Sequence, residues 1–141
     1  MKPLFGILNA LIHAPLKMVK LVRLLTMMQR SQVERINQLE SYFFHPDYAC
    51  HIGGESRISG TYDGWPAYRD KIILGEVSTP GKILNIVPAK NSITLMTRLT
   101  GEREGKSLDL DVDFYFRFSD RRIIEQRSIP SDNQKWSEFW E

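Results

Sequence analysis

Three aspartates, Asp109, Asp111 and Asp113, stand at strict two-residue spacing within LDLDVDFYFRF, and a row of carboxylates is what a metal ion or an acid–base pair would need. The spacing argues against both. Side chains two apart on a strand sit about 7 Å from one another and project in parallel, so they do not converge on one small cation without outside ligands. The alternation also assigns faces. Leu108, Leu110, Val112, Phe114, Phe116 and Phe118 fall on one side, and Asp109, Asp111, Asp113, Tyr115 and Arg117 on the other. The acidic row is therefore expected on a solvated or interface face opposite the core, with Arg98 and Arg103 as cross-strand charge partners.

Among other groups able to do chemistry, His51 ranks first as a general base: it precedes the Gly53-Gly54 turn, and an imidazole titrates near neutrality. Strand parity groups Tyr48, Cys50 and Ile52 and puts His51 opposite, so a simple hydrogen-bonded strand histidine stays open as the alternative. His45, in a turn, and His13, near the N-terminus, rank below it. Tyr42, Tyr62, Tyr68, Gln126 and Ser128 would orient a carbonyl by hydrogen bonding if they line a pocket, and would otherwise satisfy one another in a core. Asp132 reads as the N-cap of a closing helix. Trp65, Trp136 and Trp140 read as core or lid packing that marks a rim. Neither Cys50 nor any serine sits in a nucleophile motif, and GGESRISG lacks the lysine-hydroxyl pair of a phosphate loop.

The elements that must position these groups follow from periodicity. The chain of 141 residues fits one domain, and its 42% hydrophobic and 26% charged content is that of a globular protein. A net charge of +2, 19 basic against 17 acidic residues, gives no case for nucleic-acid binding. The single cysteine permits no internal disulfide, in keeping with a cytoplasmic setting. No motif for a cofactor or metal is present. Residues 1–15 form an apolar leader, interrupted by Asn9 and His13 and shorter than the roughly 20 residues of a spanning helix. PLKMVKLVRLLTMMQR then reads as a basic amphipathic helix whose Lys17, Lys20 and Arg23 either pack with the domain or meet a membrane surface. Ser31 and Glu34 match a capping box that restarts the helix, and Pro46 stops it. A short strand over Tyr48–Ile52 follows, GTYDG is a turn signal, and WPAYRDKIIL is a third helix. Four strands close the chain, near Ile83–Val87, Ile93–Thr100, Leu108–Phe118 and Ile123–Ile129. Helices first and an antiparallel sheet last define an α+β domain over residues 16–141.

HPDYACHIGG, SGTYDGWPAYRDKI, LDLDVDFYFRFSDRRIIEQRSIPSD and SEFW, in that order, resemble SnoaL-like proteins of the nuclear-transport-factor-2-like superfamily, relatives of polyketide cyclases and ketosteroid isomerases. The resemblance implies a cone: a curved sheet wrapped around the N-terminal helices, with an internal pocket and a homodimer through the outer sheet face. In the cyclases it implies a histidine on the long strand and an acid on the last strand, and the matching positions here hold Phe114 and Ser128. Asp120-Arg121 replaces the usual Asp-Gly of the closing hairpin. The expected function is binding of a small apolar, polyketide- or steroid-like molecule, with Leu110, Val112, Phe114 and Phe116 as apolar wall and Tyr62, Gln126 and Ser128 as polar contacts. Two alternatives stand beside it: an isomerase, cyclase or dehydratase using His51 as general base, and a dimeric interaction module with a membrane-associating N-terminal helix.

Overall fold

The computed structural model describes residues 16–74 and 81–141, so the apolar leader lies outside the described residues. Helix α1, Leu16–Gln29, buries Leu21, Leu24 and Met27, one stripe at three-residue spacing, together with Lys20 and Val22. Its end corrects the expected capping box. Ser31 adopts φ 54°, Gln32 N–H donates to Met27 O at 2.9 Å, and Ser31 N–H to Met28 O at 3.1 Å. Ser31 thus closes α1 in a left-handed termination, and Gln32 is left to begin α2, Val33–Gln38, without a side-chain cap. A short α3, Glu40–Phe43, leads directly into the sheet.

The sheet has six strands in the order β2-β1-β6-β5-β4-β3: β1 Phe44–Ile52, β2 Gly60–Asp63, β3 Gly81–Pro88, β4 Ser92–Arg103, β5 Lys106–Ser119 and β6 Arg122–Pro130. It is curved and unclosed, with β2 and β3 as its edges. Only β1 and β6 run parallel; the other neighbours are antiparallel. GTYDG is corrected from turn to strand, because Gly60–Asp63 pairs with Ile52–Ala49 of β1. Strand β1 also begins earlier than expected, taking in Phe44 through Asp47, with a register shift against β6 between Phe44 and Ala49. Helix α4, Trp65–Tyr68, continues as a π-helical turn over Arg69–Ile73. Helix α5, Asn133–Trp140, closes the described chain, and Asp132 Oδ1 accepts from Lys135 N–H at 3.0 Å as its N-cap.

The β5–β6 hairpin turns on Asp120 and Arg121, with φ 52° and 62°, the left-handed pair of a type I′ turn. Asp-Arg forms it without glycine because two contacts hold it: Lys20 Nζ donates to Arg121 O at 2.8 Å, and Arg122 pairs with Asp120 at 3.1 Å. One residue is bulged between Arg117/Glu125 and Phe118/Ile123, after which Phe114 faces Ser128 across the strands. The Lys20 ammonium also reaches Tyr42 O at 3.0 Å and lies 4.1 Å from the Tyr42 ring, tying α1, α3 and the hairpin together. Lys17 donates to Ala89 O and Lys90 O, and Arg23 to the Tyr42 hydroxyl. The cations of the amphipathic helix are therefore engaged within the fold. No helix of the described residues is long and apolar enough to cross a membrane.

Candidate functional site

The register assembles the inner face of the sheet row by row. Tyr62, Cys50, Gln126, Phe116 and Ile93 are successive cross-strand partners from β2 to β4. The adjacent row runs Ile52, Ser128, Phe114 and Leu95, and the next places Pro130, Val112 and Thr97 side by side. Tyr62, Val112, Phe114, Phe116, Gln126 and Ser128 are thus brought onto one concave surface, and Leu110 extends it beside Leu99. Phe114 and Ser128, the positions that the resemblance matched to a histidine and an acid, are direct cross-strand neighbours.

A buried hydrogen-bond network occupies the first row. The Tyr48 hydroxyl donates to Gln126 Oε1 at 2.7 Å, and Gln126 Nε2 donates to the Tyr68 hydroxyl at 3.4 Å. Cys50 lies beside both tyrosines. Burial pushes its thiol up to about 12, and burial raises the Tyr48 and Tyr68 hydroxyls well above their ordinary range. Tyr48, Cys50 and Tyr68 consequently keep their protons at physiological pH, and with the Gln126 amide the network is neutral. Tyr62 uses its hydroxyl locally, donating to Ile58 O at 2.6 Å. Among the described residues Lys20 is the one buried charged side chain, and its ammonium, whose pKa is lowered first of all by burial, is committed to carbonyls.

Access is concentrated in two places. In the row Leu108, Leu110, Val112, Phe114, Phe116 and Phe118, Phe114 alone is only partly buried. Farther along the same face, a groove of about 520 Å³ separates α5 from the start of β5. Its apolar floor is Leu108, Leu110 and Phe139, and Lys106, Asp109, Lys135 and Glu138 edge it. A volume of that size accommodates a small organic molecule. By contrast, the hollow between α1 and β3–β4, lined by Met18, Leu25, Ile86 and other apolar side chains, measures about 10 Å³, room for a water at most.

His51 lies on the opposite face from Tyr48, Cys50 and Ile52. Its Nδ1 is 2.9 Å from Thr61 Oγ1 and its Nε2 is 3.7 Å from Glu125. It does not converge with Tyr62, Gln126 and Ser128. Burial alone would lift the Glu125 carboxyl, and the hydrogen bonds from Arg117 and Arg127 outweigh it, holding the carboxyl below its usual range. The aspartate row lies on this outer face too. Arg98 donates to Asp109 at 2.7 Å and to Asp111 at 3.0 Å, and its hydrogen bond holds the Asp109 carboxyl low. Arg103, the other expected partner, binds Phe139 O and Glu141 O of the C-terminal segment instead. His45, expected in a turn, lies within β1 and accepts from Asp47 N–H at 3.0 Å, and His13 lies outside the described residues.

The tryptophans divide. Trp65 stacks on Phe44 and donates its indole N–H to Asn37 Oδ1 at 2.7 Å, far from Trp136 and Trp140 in role if not in type. The sequence reading missed Tyr48 and Lys20 as structural polar groups. Parity already placed Tyr48 with the inward set, and Lys20 stands directly between Val19 and Leu21, on a helix whose neighbouring Val22 and Leu24 are apolar.

No protein-family model matches the sequence, and no curated protein matches it either. Solved structures do resemble it. A protein from a soil-derived mobile gene cassette superposes with a TM-score of 0.76 at 24% identity, over 89% of this chain and 97% of its own. A nuclear-transport-factor-2-like protein of Burkholderia xenovorans gives 0.74 at 13% identity, over 89% and 96%. A SnoaL-like polyketide cyclase of a Jannaschia species, a putative one, gives 0.62 at 15% identity, over 82% and 85%. The chain has the nuclear-transport-factor-2-like fold. Within that class it shares its architecture with SnoaL-like proteins, as the sequence motifs implied.

Proposed function

We propose that the protein binds a small apolar molecule, polyketide- or steroid-like in shape, against the concave face of the sheet, and that this face performs no acid–base chemistry. The observation that carries the reading is the neutral network of Tyr48, Cys50, Tyr68 and Gln126 set among apolar side chains. Such a surface supplies shape, apolar contact and hydrogen bonds, but no group that exchanges a proton near pH 7. Phe114 and Ser128, where related cyclases place their acid and base, fit the same reading. A cytoplasmic setting belongs to it, with Cys50 buried as a free thiol.

Displacement of a fluorescent probe by steroid-like and polyketide-like compounds tests the proposal. Phe114→Ala should change ligand preference by opening the wall, at a stability cost of about 2–3 kcal/mol, because the ring is only partly buried. His51→Ala should leave binding unchanged. The rival isomerase, cyclase or dehydratase reading draws on the Glu125 carboxylate beside His51. It wins if a measurable turnover disappears in His51→Ala while the fold persists.

The outer face is proposed as a homodimer interface. Met96 and Ile129, 39% and 50% exposed, flank Asp113 in register at its centre, next to Tyr115 and Arg127. An apolar strip set in charged surroundings suits a self-complementary contact. Light scattering at micromolar concentration should give twice the chain mass, and a monomeric mass would remove this part of the proposal.

A further inference from the structure

The groove between α5 and the start of β5 carries a charge pattern that its apolar floor does not explain. Lys106 stands on the β5 bank and Lys135 on the α5 bank, with Asp109 and Glu138 beside them and Leu108, Leu110 and Phe139 beneath. The two acids are already engaged. Arg98 donates to Asp109 at 2.7 Å, and Gln134 Nε2 donates to Glu138 Oε1 at 3.0 Å. The two ammonium groups keep donors to spare. Lys106 directs one of its three N–H groups to Glu141 O at 2.8 Å, and among the described residues the Lys135 ammonium has neither a hydrogen bond nor an ion pair.

Helix stability does not account for Lys135. It lies in the first turn of α5, where the helix dipole disfavours a cation, and its ammonium makes no ion pair with the Asp132 cap that its backbone N–H serves. The bank that carries it is held firmly. Arg57 donates to Trp140 O, Arg103 to Phe139 O and Glu141 O, and Ser137 Oγ accepts from Glu55 N–H at 2.9 Å. The groove is therefore formed before any ligand arrives, which lowers the cost of binding.

We propose that this groove binds an apolar carboxylate, its ring body on Leu108, Leu110 and Phe139 and its carboxylate between the ammonium groups of Lys106 and Lys135. The inference rests on the binding function proposed above, because Leu110 belongs both to the groove and to the concave wall, and it adds the charge of the ligand. A volume of about 520 Å³ accommodates a body of two or more fused rings. A cationic ligand fits less well. It would have to draw Asp109 away from Arg98, whose guanidinium also holds Asp111 at 3.0 Å.

Three compounds of nearly equal shape separate the outcomes: naphthoate, acetylnaphthalene and naphthylmethylammonium, each titrated into the labelled full chain and followed by NMR. Naphthoate should bind about fivefold tighter than the neutral ketone, the gain of a charge pair at an accessible site, and the cation should bind most weakly. Naphthoate should shift the signals of Leu108, Lys135 and Phe139, and its advantage should shrink in high salt. Lys135→Met should remove that advantage and leave the affinity for the ketone unchanged, whereas Lys135→Arg should retain it. Equal affinity for naphthoate and ketone, tighter binding of the cation, or an advantage that survives Lys135→Met overturns the carboxylate site and leaves apolar binding standing. So do naphthoate shifts at Phe114 and Ser128 with Leu108 and Phe139 unmoved. If none of the three compounds perturbs any signal, the binding function fails and the carboxylate site falls with it.

Discussion

Raising the pH from 9 toward 12 should unfold this protein steeply. Cys50 titrates at 9.0 when free, and burial holds it at about 12 in the fold, so the native state keeps a proton that the unfolded chain gives up. Stability from this group is complete below pH 9.0 and is lost as the pH rises toward 12. At about 1.4 kcal/mol per pH unit, the separation amounts to roughly 4 kcal/mol, a large share of the stability of a small domain. Tyr48 and Tyr68, both raised by burial, act in the same direction above pH 10.0. Lys20, lowered by burial, works against them: it releases its proton more readily in the fold, so its contribution grows as the pH rises to 10.5. One opposing group does not cancel three. Circular dichroism with urea titrations across this range measures the loss, and Cys50→Ser should make its onset shallower. Stability that stays level above pH 9.0 would contradict the buried, protonated interior.

Gln126→Leu should be the most damaging single change on the concave face, costing about 3–5 kcal/mol. The side chain is 4% exposed and satisfies two tyrosines at once, accepting from Tyr48 and donating to Tyr68. Leucine keeps the volume but leaves the Tyr48 hydroxyl without its acceptor, and each unmet buried polar group costs about 1–3 kcal/mol, with misfit of the branched side chain adding to that. Removing the hydroxyl as well should help: Tyr48→Phe in the Gln126→Leu background should recover about 1–2 kcal/mol, since replacing both partners with apolar groups is far less costly than orphaning one. Urea denaturation of the two single variants and the double variant gives the cycle. A double variant no more stable than Gln126→Leu alone would show that the network is incidental to the fold.

Where alternation was long, the sequence was legible. LDLDVDFYFRF announced β5, its facing and the exposure of Asp109 and Asp111, because every second residue was apolar over the whole strand. The turn at Asp120-Arg121 was harder to read: its left-handed geometry depends on Lys20, 101 residues earlier in the chain. GTYDG read as a turn since two glycines frame it, yet backbone pairing to β1 makes it an edge strand. Ser31 and Glu34 matched a local pattern, and the closing geometry of α1 took precedence over it. On the concave face, parity placed Phe114 inward, and Tyr62, Gln126 and Ser128 were expected with it as polar contacts, but no pattern told which groups bond. Tyr48 and Gln126 lie 78 residues apart, and no local pattern links them. The outward placement of His51 was already contained in the parity of β1.

Chemical-shift mapping tests the central claim most directly. Titrating the labelled wild-type protein with acetylnaphthalene should perturb Leu110, Phe114 and Ser128 and leave Met96, Tyr115 and Ile129 on the outer face unmoved. Perturbations confined to the outer face, or none at saturating ligand, would contradict it.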